Sequence, residues 1–495
     1  MDILNQLLVG FSHALTLNNL MYCLLGVTVG TFVVALPGIG SMVGIAVLLP
    51  FTYYLPADSA LIMLAGIYYG GEYGGAISSI LLNIPGTASS AVTSIDGHQL
   101  TKQGRPGVAL LMAASASFLG GSIGILVLAF FAPLLGKFAT NLSSADYFSI
   151  MVLGLAASTV VATGSMLKGL MSVVLGILLG VVGTDINTGV YRYTFGVTGL
   201  FDGWSLLALA LGLFGFTEVV VAIGESKPLG RGVGVRIRDM VPKRQEVGNS
   251  IMPIVRGGSI GSILGALPAT GPTISAFLAY STEKSLSKNK ARFGQGAVEG
   301  VAAPEAANNA AAQTAFIPTL TLGIPGSATM ALILGALLIQ GIVPGPQLMR
   351  EQSTTFWTLV ASFWIGNLLL IILNIPLIGI WVRLLRTPYR YLFPTIIVLI
   401  CAGTYAVNLS AFEVAQVLII GLIGYFLRLA RFEAAPLLMG FILGPLMEQY
   451  LRRALVLSGG DLSVFVTDRI SAFVLAVTLV LLATPLIKKL MRKRQ

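Results

Sequence analysis

Apolar residues fill the stretches 108–135, 206–223, 356–382, 394–407, 414–427 and 464–487 almost without charge. A soluble helix would show a polar stripe at the 3.6-residue period. Runs near twenty residues cross a bilayer as helices, and shorter ones need tilt or neighbours. With the weaker segments 148–163 and 167–182, the pattern predicts an all-α polytopic membrane protein of about ten to twelve crossings. Two strings interrupt the apolar pattern and then repeat. Ala35-Leu36-Pro37-Gly38-Ile39-Gly40 returns 231 residues later as Ala266-Leu267-Pro268-Ala269-Thr270-Gly271, and Ile84-Pro85-Gly86-Thr87-Ala88 returns 240 residues later as Ile324-Pro325-Gly326-Ser327-Ala328. Order and spacing both survive, so the chain is a duplication. Paired Pro/Gly interruptions in corresponding halves point to the binding site of a secondary transporter.

Composition supports the membrane assignment: 495 residues are 55% hydrophobic and only 10% charged, with a mean hydropathy of +0.88. Fifty-eight glycines and 22 prolines suit helices that pack closely or break at depth. The net charge of +10 sits in short loops and at the C-terminus, which reads as membrane orientation and not as nucleic-acid binding. Cys23 and Cys401 lie far apart in apolar segments, which excludes a disulfide framework or a structural zinc site. The first residues show no basic region or cleavage pattern of a signal peptide, and 1–14 reads as an interfacial lead-in.

Charge placement then sets topology. Residues 227–244 carry six basic side chains and 284–292 carry four, so both loops belong on the cytoplasmic side. They flank one apolar segment, 251–280. A re-entrant hairpin with 267–272 at its tip keeps both loops on one side, because irregular backbone is tolerated at depth only where protein or a cavity surrounds it. The first copy, 19–51, has almost no positive flanking charge and reads as a hairpin from outside. The expected organisation is therefore two inverted repeats. Residues 1–240 hold the hairpin 19–51 and a broken helix near 83–90; residues 241–495 hold the hairpin 251–280 and a broken helix near 323–329. The segment 15–35 is long enough to span alone, so a full span and a hairpin arm both stand open. Arg383 to Arg390, Arg428, Arg431 and the C-terminus fall inside, whereas Arg452 and Arg453 fall outside against the rule.

A helix broken near the bilayer centre frees N–H groups at one half-helix and C=O groups at the other. The former attract anions and the latter hold small cations. The substrate-binding candidates are Pro37, Gly38, Gly40, Ser41, Asn83, Pro85, Gly86 and Thr87 in the first half. The second half offers Pro268, Thr270, Gly271, Thr273, Asn308, Asn309, Pro325, Gly326 and Ser327. Ser89, Ser90, Thr321 and Thr329 supply further neutral groups. No Lys or Arg lies in these tips, so an anionic substrate would need helix ends, amides, hydroxyls and a bound cation. Sodium near Gly38, Asn83, Ala269 and Gly323 fits that need.

Acids at depth are costly and usually pair or line a pathway. Glu72 and Glu305 are therefore candidates for coupling or gating, with an ion pair from Glu305 to Arg292 or Arg256 as the alternative. Glu299 reads as structural. Asp96 and His98 form either a proton relay or a hydrogen-bonded loop. No P-loop string, H-E-x-x-H or cysteine–histidine ligand set occurs, and His13 and His98 lack a nucleophile context. The chain reads as a non-enzyme without a cofactor.

The segments from Leu36-Pro37-Gly38-Ile39-Gly40 through Tyr68-Tyr69-Gly70-Gly71, Asn83-Ile84-Pro85-Gly86 and Asp96-Gly97, and from Gly300-Val301-Ala302-Ala303-Pro304-Glu305-Ala306-Ala307-Asn308-Asn309 through Thr321-Leu322-Gly323-Ile324-Pro325-Gly326-Ser327-Ala328, resemble the large membrane subunit of the tripartite tricarboxylate transporter family. The resemblance runs nearly end to end. It implies a permease subunit in the bacterial inner membrane, working with a small membrane subunit and a periplasmic solute-binding protein. It further implies import of an organic carboxylate, a tricarboxylate or dicarboxylate, with a cation gradient of Na⁺ or H⁺. Thr87, where relatives often carry an acid, and Gln313-Thr314 depart from the pattern. An elevator motion and a cytoplasmic C-terminus complete the expectation; a passive channel or exporter for small anions is the alternative.

Overall fold

The computed structural model describes residues 3–36, 40–161, 165–185, 187–225, 237–267, 270–384 and 389–492. The chain is an all-α membrane protein. Its described β-structure is one short antiparallel pair, Gly183–Thr184 with Tyr191–Arg192. Five described helices are long and apolar enough to cross a membrane: Leu17–Ala35, Pro106–Ala139, Leu206–Ile223, Ser353–Asn374 and Ala411–Leu429. Several turn large apolar side chains outward, as Phe130, Phe131, Leu134 and Phe138 do on one helix and Leu422, Ile423 and Phe426 on another. Such faces belong in lipid or against partners.

Two of the apolar runs are divided. The stretch 356–382 splits into Ser353–Asn374 and Ile378–Leu384, because Pro376 has no N–H to continue the helix. The stretch 464–487 splits into Val464–Thr467 and Arg469–Arg492, with Asp468 Oδ1 accepting the Ile470 N–H.

The duplicated strings occupy matching places. Leu17–Ala35 and Ser41–Thr52 form a helix pair across the first Pro/Gly string, and both pack on Ala57–Leu82. Arg244–Gly265 and Gly271–Leu286 form the second pair, and both pack on Glu299–Thr314. Glycines set these distances. Gly257 and Gly261 lie so close to Ala303 and Ala307 that a Cβ on either would meet a carbonyl oxygen. Gly26 and Gly30 meet Met63 and Ile67 in the same way. Small residues permit backbone approach that lipid alone would not drive.

The halves interlock by exchange. Pro106–Ala139, from the first half, packs on Glu299–Thr314, and Ser353–Asn374, from the second, packs on Ala57–Leu82. Ser90–Lys102 likewise packs on Glu299–Thr314, and Ala328–Ile339 on Ala57–Leu82. A third correspondence lies 237 residues apart. Gly104 and Gly341 both have positive φ, of 77° and 72°. After them the Arg105 N–H reaches Leu100 O and the Ile342 N–H reaches Leu337 O. Both are glycine helix stops, in which the left-handed residue lets orphan carbonyls be satisfied. Gln103 then donates to Gln295 O, and Gln340 to Thr52 O, so each half ties down the other's chain.

Around this centre, Ser144–Val161, Met166–Gly180 and Ala434–Leu457 pack together, and Arg469–Arg492 packs on the first of them. Arg452 pairs with Asp185 at 3.2 Å and with Glu448 at 2.7 Å, which gives that rule-breaking arginine a structural task. The Asn187 backbone N–H, followed by the arginines, holds the Asp185 carboxyl below its usual range. A depressed carboxylate keeps its pairing at neutral pH and loses it only as pH falls through that lowered value.

Asp96 settles its open question as an anchor. Its Oδ1 accepts the N–H groups of Gly294, Gly296 and Ala297, each at 2.8 Å, and its Oδ2 accepts the Tyr280 hydroxyl at 2.9 Å. It is fully buried. Asp96→Ala strands these donors at about 1–3 kcal/mol each, so the expected result is a lower melting temperature in detergent, by several degrees, read by intrinsic fluorescence.

Candidate functional site

The site is built where two helices stop and restart. Ala57–Leu82 ends at Asn83, in the left-handed region at φ 57°, and the chain resumes helix at Ser90. Phe316–Leu322 ends at Gly323, at φ 70°, and resumes at Ala328. These two stops are 240 residues apart, the offset of the repeated string, and different residues fill them because Asn tolerates the left-handed conformation nearly as glycine does. Four residues further on, Thr87 and Ser327 hold the restarts. Thr87 Oγ1 accepts the Ser90 N–H at 3.2 Å, and Ser327 Oγ accepts the Met330 N–H at 3.2 Å. Each satisfies an orphan donor at a new helix start.

Glu72 stands beside the first break. Its Oε2 accepts the Ser89 hydroxyl at 2.8 Å, and Ser89 meets the Thr87 hydroxyl at 2.8 Å. Asn308, from the other half, turns its amide toward the same carboxylate and has no hydrogen-bond partner within bonding distance. The Tyr68 hydroxyl, one helical turn before Glu72, faces Ser327 of the second break and is also unpartnered. The cluster thus joins both breaks, with residues drawn from both halves.

Glu305 sits one turn before Asn308 and Asn309 and is fully buried. Thr93 donates to its Oε1 at 2.5 Å and Ser117 to its Oε2 at 2.9 Å. Asn309 Nδ2 donates to Ser117 Oγ at 2.7 Å. Arg292 and Arg256, the alternative partners for Glu305, are engaged by Glu299 and Glu283. No described cation pairs with Glu72 or Glu305, and the two carboxylates are near enough to repel. Asn308 Oδ1, Asn309 Oδ1 and Gln313 Oε1 add buried acceptors without donors. The cluster is rich in oxygen acceptors and poor in positive charge, an arrangement that suits a small cation or a proton.

The remaining candidates fall into three groups. Pro37, Gly38, Pro268 and Ala269 lie outside the described residues. Gly40 caps Ser41–Thr52, Ser41 is buried against Gly71, and Gly271, at φ 56°, approaches Gly326 and Ser327. Gly86 is pressed between Val34 O and Gly75, while Gly326 lies against Ala315 and Gly265. Thr270 bonds Leu264 O and Leu267 O within its own turn, and Thr273 is half-buried in the first turn of the following helix. Asn83 and Pro85 are exposed, whereas Gly323 and Pro325 are buried, so the two breaks differ in cover.

Four polar groups of the cluster escaped the reading of the sequence: Thr93, Ser117, Tyr68 and the Tyr73–Asn367 pair, bonded at 2.7 Å. Ser117 and Asn367 were legible only as lone polar residues inside apolar runs, a signal that packing also produces.

The model of the tripartite tricarboxylate transporter TctA family matches residues 20–439. The chain belongs to that family. It is accordingly a membrane subunit of a tricarboxylate transporter and a multi-pass membrane protein. An uncharacterized 52.8 kDa protein of Agrobacterium vitis, from the 3′ region of ttuC′ in TAR-I, is 48% identical over 495 residues, covering all of this chain and 98% of its own. A second uncharacterized protein, from the TAR-II ttuC′ 3′ region of the same organism, is 53% identical over 234 residues, 47% of this chain and 97% of its own. No solved structure matches. In this TctA-family chain the two quoted resemblance segments include Tyr68, Glu305, Asn308 and Ser327, which belong to the two-break cluster.

Proposed function

We propose that this TctA-family subunit imports an organic carboxylate through one site formed by both breaks, with uptake driven by a cation gradient, Na⁺ in the first instance. The observation that carries the reading is the cluster Tyr68–Glu72–Thr87–Asn308–Ser327, contributed by both halves. The restarting half-helices present N–H groups suited to carboxylate, and the acceptor-rich side around Glu72, Glu305 and Asn309 suits the coupling cation. Repeats 1–240 and 241–495 take opposite orientations in this account, and the two helix pairs are re-entrant. Bonds between chain segments that charge places on the cytoplasmic side, Arg105 to Glu246 and Gln103 to Gln295 O, support that arrangement.

The interlocked centre moves as one body against the outer helices and a small membrane subunit, in an elevator cycle. A periplasmic solute-binding protein delivers substrate at the outer face of the bacterial inner membrane, and the C-terminus lies in the cytoplasm. Asn308→Ala and Ser327→Ala are each expected to lower uptake into vesicles at least about tenfold, equal to about 1.4 kcal/mol, at unchanged expression. Wild-type kinetics in both variants would remove them from the site. Asn83→Gly, which keeps the left-handed stop, is expected to retain uptake where Asn83→Val does not.

A further inference from the structure

A cavity of about 470 Å³ opens beside the second break. Leu322, Gly323 and Gly345 form one wall, and helices Ser144–Val161 and Ala434–Leu457 form the other. Arg350 and Arg453 stand on its rim, and no acidic residue lines it. Neither arginine makes an ion pair among the described residues. Their neighbour Arg452 is held by Asp185 and Glu448 and leaves Arg453 free of both. Charge placement puts 452–453 on the outer face, where unneutralised arginine is disfavoured without a purpose.

We infer that this cavity is an outer vestibule that captures the polycarboxylate anion before it reaches the second break, with Arg350 and Arg453 as its binding groups. The inference rests on the transport reading for its role but on the cavity alone for the binding. The volume falls in the range of small-molecule sites. Guanidinium groups recognise carboxylates through paired, charge-assisted hydrogen bonds. Gly323 gives the vestibule direct continuity with the break, while the buried cluster beyond it holds no cationic side chain. The anion thus meets positive charge first at the rim and neutral donors afterwards. Exposed charges lose strength with salt, so capture weakens as ionic strength rises.

The probe is citrate, titrated calorimetrically into delipidated full-length protein in neutral detergent. The wild type is expected to bind with salt-dependent affinity. Arg350→Gln/Arg453→Gln is expected to weaken binding about tenfold, and Arg350→Lys/Arg453→Lys to recover part of it. Equal citrate affinity in wild type and the glutamine variant, or no citrate binding by the wild type, overturns the inference. Displacement of citrate by phosphatidylglycerol at stoichiometric ratio also overturns it, because the site then holds a lipid headgroup. In proteoliposomes supplied with the binding protein, the same glutamine variant is expected to raise the half-saturating concentration for uptake. If wild-type protein binds citrate through these arginines but shows no uptake, the vestibule stands and the transport reading falls.

Discussion

Glu305→Leu abolishes gradient-driven uptake, whereas Glu305→Gln keeps the fold and loses the coupling. The carboxylate is fully buried and accepts from Thr93 and Ser117, with Asn309 held through Ser117. Leucine leaves both hydroxyls without that acceptor, at about 1–3 kcal/mol each, so lower stability is expected along with lost uptake. Glutamine keeps the shape and one acceptor oxygen but removes the negative charge a cation or proton would neutralise. Accumulation against a gradient is expected to fall at least about a hundredfold, the factor that about 2.7 kcal/mol represents, with melting temperature close to wild type. Paired measurements of melting and uptake separate the two variants. Full accumulation by Glu305→Gln would remove Glu305 from coupling.

The second large effect is expected from Gly261→Val. A Cβ there meets the carbonyl oxygen and Cα of Ala307, and a backbone neighbour cannot swing aside as a side chain would. Overpacking a close-packed contact costs about 1–3 kcal/mol even where side chains can adjust, and this contact lies one residue from Asn308. Separating Arg244–Gly265 from Glu299–Thr314 shifts Asn308 relative to Glu72. The folded fraction on size-exclusion chromatography in detergent is expected to drop sharply, with uptake lost. Gly248→Ala is the control: its Cβ would meet nothing within 4 Å, and alanine favours the helix by up to about 1 kcal/mol. Equal behaviour of the two variants would deny that close backbone contact sets the site.

Much of the centre could be read in advance because Pro and Gly act locally. The strings at 84–88 and 324–328 break their helices wherever the rest of the chain lies, and Thr87 and Ser327 cap the restarts through bonds of three residues' span. Longer reach was hidden. Asp96 is defined by N–H groups about two hundred residues away, and no spacing rule connects them. Glu305 offered two readings because charge alone favours an arginine partner; only the fold shows Arg292 and Arg256 taken by nearer acids. Arg452 looked misplaced for the same reason, since Asp185 and Glu448 are its neighbours in space. Pro376 was visible inside an apolar run, yet hydropathy outweighed it in the reading of 356–382 as one span.

The most direct test is uptake of labelled citrate into proteoliposomes that contain this subunit and its small membrane partner, with the binding protein outside. An inward Na⁺ gradient is imposed and then dissipated with an ionophore. The account predicts accumulation above the external concentration that requires the binding protein and collapses when the gradient is removed. Equilibration without accumulation, indifferent to both the gradient and the binding protein, would show a passive pathway and contradict it.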